Sequence, residues 1–196
     1  MTKKPLINNE VDLIAELSPE TDLEKLLLDQ PEVQEGMLWG VPRYGHPEGE
    51  VYKHVKDVFR NIDKLQITAQ ERAFLRIVAI VHDVFKYQED KNRPRNWSKH
   101  HAVLARNFMR AFTKDQLLLN FIQYHDEAYY IWRDGHVYNK PEQAAARLER
   151  LLTKLNGQHQ LYYLFFKCDS ETGDKNPAPV LWVEANFPGI APVVLK

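Results

Sequence analysis

Midway along the chain an apolar helical segment, Ile77-Val78-Ala79-Ile80-Val81, runs directly into His82, Asp83 and, three residues later, Lys86. Successive residues of a helix lie about 100° apart around its axis, so His82 and Asp83 share one side and Lys86 follows one turn on. Neutral imidazole and ionised carboxylate are good ligands for borderline and hard divalent cations, and a neighbouring ammonium can neutralise an anionic oxygen such as that of a phosphate. Other segments repeat the pattern of a ligand-type residue on or beside an apolar face. His54 stands at the margin of the stripe Val51, Val55, Val58, Ile62 and Leu65. His125 follows Ile122 and Phe121 by three and four residues, and Asp169 follows Phe166 and Phe165 in the same way, so both face the core. Of the adjacent pair His100 and His101, the second is the candidate, because it precedes Leu104 by three and joins the apolar stripe, leaving His100 turned to solvent. A lone histidine of this kind reads as a packed core residue. The ordered set is different: a buried carboxylate needs a partner, and a divalent cation is an effective one.

The elements that must carry these residues are helical. Residues 9 to 30 read as one or two short helices, followed by a Gly/Pro-rich connection from Glu35 to Glu50. A helix from Val51 to Leu65 comes next. Thr68-Ala69-Gln70-Glu71 is a capping-box pattern opening the central helix that ends at His82-Asp83. Residues 88 to 99 are charged and contain Arg93-Pro94-Arg95-Asn96-Trp97, which predicts a loop bringing two basic groups and an indole near that helix end. Further helices are expected from Ser98 to Phe112 and from Asp115 to Tyr130. Arg133-Asp134-Gly135 reads as a turn, and a helix from Pro141 closes at Asn156-Gly157 with a left-handed cap. The last clear helix holds Leu161 to Asp169, and a short element spans Val180 to Ala185. No strand pattern of useful length occurs, so the expected fold is all-α, a single-domain helical bundle with a metal site at its centre. Its expected parts are an N-terminal cap over 1–35, a metal-binding core over 36–170 and a C-terminal extension over 171–196.

Composition narrows the class of partner. At 196 residues the chain is the size of one domain, and 26 Lys plus Arg against 27 Asp plus Glu leave a net charge of −1. That balance argues against a stable nucleic-acid complex or an anionic membrane as partner. Cys168 is the sole cysteine, so no internal disulfide forms. With neither a signal-peptide core nor an apolar run long enough to span a bilayer, the sequence predicts a soluble, cytoplasmic protein, with a homodimer allowed.

The order His54, His82-Asp83, His101, His125, Asp169 on successive helices resembles the HD-domain superfamily of metal-dependent phosphohydrolases. Within it, His46-Pro47-Glu48-Gly49-Glu50-Val51-Tyr52-Lys53-His54 is similar to the lead-in to the first ligand in the HD domain of bacterial CCA-adding tRNA nucleotidyltransferases. The likeness spans about residues 36 to 170. It implies that His54, His82, Asp83 and Asp169 hold one metal and that Asp83 bridges to a second held by His101 and His125. It also implies that Lys86 contacts the substrate phosphate. One position departs from the pattern: the residue before that lysine is usually glycine and here is Phe85, which predicts a different backbone approach and a narrower pocket. No nucleotidyltransferase segment is present, so tRNA addition is not implied.

These readings give one or two divalent cations as cofactor, with manganese, iron, nickel, cobalt, zinc and magnesium all compatible with the ligand types. Asp83 and Lys86 are the expected catalytic groups. Lys86, Lys99, Arg93 and Arg95 are the expected contacts to a small phosphorylated substrate such as a nucleotide, with Trp97 or Tyr129 available to stack on a base. His46 is expected to orient Glu48 or His54 rather than to ligate, and His136 and His159 to lie at the surface. Two other readings use the same residues: dinuclear-iron oxygen chemistry, as in the inositol-oxygenase branch of the HD fold, and a non-catalytic module that binds metal or nucleotide, for which Phe85 is the supporting feature.

Overall fold

Thr68 opens the helix around which the others pack. Its hydroxyl accepts the Glu71 amide at 3.2 Å while the Glu71 carboxylate accepts the Thr68 amide at 2.8 Å, a closed capping box that fixes where Ala69–Val81 begins. From Leu75 to Val81 every side chain of this helix is buried, Arg76 included. A helix apolar on all sides must be surrounded, and this one is packed by four others in a computed structural model that describes residues 11–92, 94 and 96–195.

In chain order the described residues form α1 (Leu13–Leu17), α2 (Asp22–Leu28), α3 (Pro31–Met37), α4 (Val51–Asp63), α5 (Ala69–Val81), α6 (His101–Met109), α7 (Gln116–Tyr124), α8 (Glu127–His136), α9 (Pro141–Leu155), α10 (His159–Ser170) and α11 (Ala178–Asn186). Short 3₁₀ turns cover Lys86–Gln88 and Trp97–Lys99. No strand occurs among the described residues, and the molecule is an all-α single-domain bundle with His/Asp clusters at its interior. No described helix is long and apolar enough to cross a membrane.

Helix α5 is flanked by α4, α7 and α10, and the short α2 closes the remaining side. The contact to α2 is ionic. Glu24 is fully buried and its carboxylate takes the Arg76 guanidinium at 2.9 Å; the guanidinium carbon lies 3.7 Å from the Phe59 ring centroid, and Arg76 Nη2 also donates to the carbonyls of Leu17 and Ser18. A buried charge paired and hydrogen-bonded in this way ties the N-terminal helices to the centre. Helix α3 approaches the end of α5 so closely that a Cβ on Gly36 would lie 1.9 Å from the Val84 carbonyl oxygen. Only glycine permits that crossing.

Three expectations about elements are corrected by the structure. The stretch from Asp115 to Tyr130 is two helices, because the chain breaks at His125-Asp126; the Tyr162 hydroxyl fills the break, donating to the Tyr124 carbonyl at 2.7 Å and accepting the Ala128 amide at 3.2 Å. Arg133-Asp134-Gly135 lies within α8 and is not a turn. Gly135 faces Ala144 of α9, with Ala144 Cβ 3.7 Å from where a Gly135 Cβ would lie, while Arg147 reaches back to Asp134 at 3.0 Å, so the packed α8–α9 hairpin carries the helix past a sequence that would otherwise stop it. The irregular connection begins at Leu38 rather than Glu35, since α3 extends to Met37. Asn156 and Gly157, by contrast, close α9 in the left-handed region as expected, with φ of 48° and 81°.

Candidate metal centre

Helix α5 ends at Val81, and His82 caps it with its amide still bonded to the Val78 carbonyl. His82 is 0 % and Asp83 4 % exposed, at the place where α4, α7 and α10 converge with the start of α6. His54 comes from the first turn of α4, His101 is the first residue of α6, His125 directly follows α7, and Asp169 sits in the last turn of α10. All four histidines are buried.

These six side chains fall into two adjoining triads. In the first, His54 Nε2 lies 2.9 Å and His82 Nε2 3.8 Å from Asp169 Oδ1. In the second, His101 Nε2 and His125 Nε2 lie 3.4 and 3.7 Å from Asp83 Oδ1 and 3.4 Å from each other. The chain neighbours His82 and Asp83 join the two, with His82 Nε2 3.5 Å from Asp83 Oδ2. In each triad one ligand-type atom per residue lies within 4.8 Å of the others.

The opposite edge of every imidazole is anchored. His82 Nδ1–H donates to the Ala79 carbonyl at 2.8 Å and His125 Nδ1–H to the Ile122 carbonyl at 3.0 Å, each three residues back at a helix end. His101 Nδ1 faces Glu89 Oε2 at 3.3 Å, and His54 Nδ1 faces Glu48 Oε1 at 3.3 Å. His54 Nε2 bonds Asp169 Oδ1 at 2.9 Å; in the other three rings Nδ1 is the donor and the Nε2 lone pairs point inward, as second partners of metal-bound histidines arrange them. The inward atoms are then acceptors facing acceptors. His82 Nε2 and Asp83 Oδ1 are buried and have no hydrogen-bond partner, and the lone pairs of His101 and His125 confront each other at 3.4 Å. Buried acceptors without a donor are costly, and a cation satisfies all of them together. The residues present therefore fit a divalent cation in each triad.

Two ammonium groups complete the charge balance. Lys86 pairs with Asp83 Oδ2, and Lys175 pairs with Asp169 Oδ1 at 3.0 Å. Burial raises the carboxyl of Asp83, but Lys86 and the three surrounding imidazoles outweigh it and hold the group well below the usual carboxylate range. For Asp169 burial is likewise outweighed, by Lys175 and the bond to His54. Burial brings His82 down to about 3. His46 and His100 are each lowered to about 4, first by burial, while His54 is raised because its bonds to Asp169 and Glu48 overcome its burial.

A pH dependence follows. The unfolded chain protonates histidine near pH 6.5, but folded His46, His82 and His100 stay neutral to about 4 or 3, so the unfolded state binds more protons between those values. Their contribution is complete above the unfolded value and is lost as pH falls. His54 opposes with the reverse sign. Metal-stripped protein is expected to lose stability from pH 7 to 5 at a net slope of roughly 1 to 3 kcal/mol per unit. Urea unfolding at stepped pH checks this, and a flat profile would show that these rings are not held neutral.

The second triad opens onto a cavity of about 440 Å³, whose floor includes Asp83, His101, His125 and Asp169 and whose walls include Lys86 and Lys175. Tyr44 and Tyr129 stand at its exposed edge. Of the expected phosphate contacts, Lys86 is there; Lys99 is 59 % exposed, 3.8 Å from Asp90 and not among the lining residues; Arg93 and Arg95 lie outside the described residues. Trp97 stacks on His100 at 5.6 Å rather than at this cavity. Phe85 corrects an expectation. It is 4 % exposed, packs on Phe108 at 5.2 Å and does not line the cavity, so its side chain does not narrow the pocket.

His100 is a second correction, being buried rather than solvent-facing. Helix α6 starts at His101, so His100 is its N-cap and turns inward, Nδ1 accepting the Ala102 amide and Nε2 lying 3.1 Å from the Tyr130 hydroxyl. His46 lies 3.0 Å from Glu48, which in turn faces His54, and the three together form a further group able to hold a cation. His136 ends α8 on the surface and His159 begins α10, half-buried. Glu89 and Lys175 were not singled out by the sequence, since both sit in charged segments whose contacts are set only by folding.

Fold and site together define an all-helical domain whose buried His and Asp side chains are arranged to coordinate a metal ion, consistent with a metal-dependent catalytic site. Compared with family models, curated proteins and solved structures, the chain matches none.

Proposed function

We propose that the protein is a metal-dependent phosphohydrolase of the HD type, a phosphatase or phosphodiesterase acting in the cytoplasm on a nucleotide or another small phosphorylated substrate. The observation that carries this reading is the pair of His/Asp triads joined through His82-Asp83 and opening beside two lysines. In it, His54, His82, Asp83 and Asp169 hold one cation, and Asp83, His101 and His125 hold a second. Bound there, divalent cations supply Lewis acidity toward a phosphoryl oxygen and acidify a water to near neutrality.

The chain's own groups account for the rest. Lys86 is placed to donate to a phosphoryl oxygen, an interaction that strengthens as charge builds in the transition state. Glu48 and Glu89 fix the tautomer and angle of His54 and His101. Tyr129, half-exposed at the cavity edge, offers a face for a base. Phe85, the feature that favoured a non-catalytic module, packs in the core and does not line the cavity, which supports the catalytic reading over that one. Lysines beside the carboxylates favour a phosphate over dioxygen as the ligand.

The test is a panel of nucleoside phosphates, sugar phosphates and phosphodiesters offered to the metal-loaded protein. Chelator-sensitive hydrolysis of at least one class is expected. Stoichiometric metal with no turnover across the panel would contradict the proposal.

A further inference from the structure

Asp83 carries a lysine that the sequence singles out, and Asp169 carries one that it does not. Lys175 Nζ donates to Asp169 Oδ1 at 3.0 Å and to the Asp169 main-chain carbonyl at 2.8 Å. The same Oδ1 takes His54 Nε2 at 2.9 Å and lies 3.8 Å from His82 Nε2, so it is the oxygen shared by the first triad. An ammonium thus stands where a divalent cation would exert its charge, and two positive groups on one carboxylate oxygen repel. The main-chain carbonyl is a neutral partner that the ammonium can keep. An ammonium has three donors, two of which are used here, and the side chain lines the cavity at 20 % exposure. Its chain neighbour is tethered: Asp174 Oδ1 accepts the Gly45 amide at 2.6 Å, tying the residue before Lys175 to the loop that carries Tyr44 and His46.

We infer that Lys175 is a second anion-binding residue of the cavity, which leaves Asp169 Oδ1 when a cation enters the His54–His82–Asp169 triad and donates to an oxygen of a bound phosphoryl group. With Lys86 on the other carboxylate, the site then presents two ammonium groups to one phosphate. This deepens the phosphohydrolase reading and rests on it. Lys175 is distinct from a prop for Asp169: a prop would be needed for metal binding, whereas a displaced ammonium opposes it.

Two titrations separate these roles. Metal-stripped wild type, Lys175→Met and Lys175→Arg are titrated with whichever of Mn²⁺, Fe²⁺, Co²⁺, Ni²⁺, Zn²⁺ or Mg²⁺ binds wild type most tightly. The loaded proteins are then titrated with inorganic phosphate. Lys175→Met is expected to bind the cation severalfold more tightly and phosphate roughly tenfold more weakly, with Lys175→Arg restoring phosphate binding. Unchanged phosphate affinity in Lys175→Met overturns the inference and leaves the phosphohydrolase reading standing. Weakened cation binding in a folded Lys175→Met also overturns it, making the residue a prop. Loaded wild type that binds no phosphate, or wild type that binds none of the cations, removes the parent reading and this one with it.

Discussion

Asp83→Ala is expected to abolish metal binding and turnover together. Its Oδ1 lies 3.4 and 3.7 Å from His101 and His125, its Oδ2 3.5 Å from His82, so it is the carboxylate within reach of both triads. Loss of the cation's charge stabilisation removes several kcal/mol from the barrier reduction, on the order of a thousandfold or more in rate. The fold should survive. Asp83 is held ionised by its pairing with Lys86, so deleting it removes that favourable interaction, while Lys86 at 19 % exposure can turn to water. In the absence of metal the variant is therefore expected to be folded but somewhat less stable than the metal-stripped wild type. Elemental analysis and urea unfolding read both halves, and a folded Asp83→Ala retaining stoichiometric metal would sink the assignment.

Lys86→Met is expected to leave metal binding intact and cost about a hundredfold in rate on the best phosphorylated substrate. Methionine keeps the aliphatic stem and so its packing. Because the ammonium pairs with Asp83 Oδ2, its removal should hold or tighten cation affinity, the opposite of what loss of a ligand would do. Turnover should fall more than substrate affinity if the contact strengthens in the transition state. An unaffected rate would take Lys86 out of the reaction.

Much of this arrangement was legible before folding because it is written in local signals. The capping box at Thr68 and the apolar run to Val81 set α5, and three-and-four spacing placed His125 and Asp169 on core faces. What stayed hidden depends on tertiary contact. The α7–α8 break is held by the hydroxyl of Tyr162, which is 34 residues from Ala128, and no local pattern reports it. Gly135 stays helical because α9 packs against it. His100 was misplaced by a one-turn error in where α6 starts, since at a helix end a shift of two or three residues rotates a side chain from solvent to core. Glu89 and Lys175 came from charged stretches that read as solvated, and only the assembled site shows that one faces His101 and the other Asp169. Phe85 illustrates the reverse: a departure from a motif looked consequential in sequence, and its side chain turns away from the cavity.

The most direct test of the metal centre is the metal content of wild-type protein purified without chelator, read by elemental analysis beside its thermal midpoint. One or two divalent cations per chain are predicted, with a midpoint that drops on chelation and returns on reloading; a cation at a thousand times its Kd adds about 4 kcal/mol, or roughly 10 °C for a chain of this size. Less than about a tenth of a cation per chain, with no rise in midpoint on adding any of the six candidate metals, would contradict a metal centre at His82-Asp83.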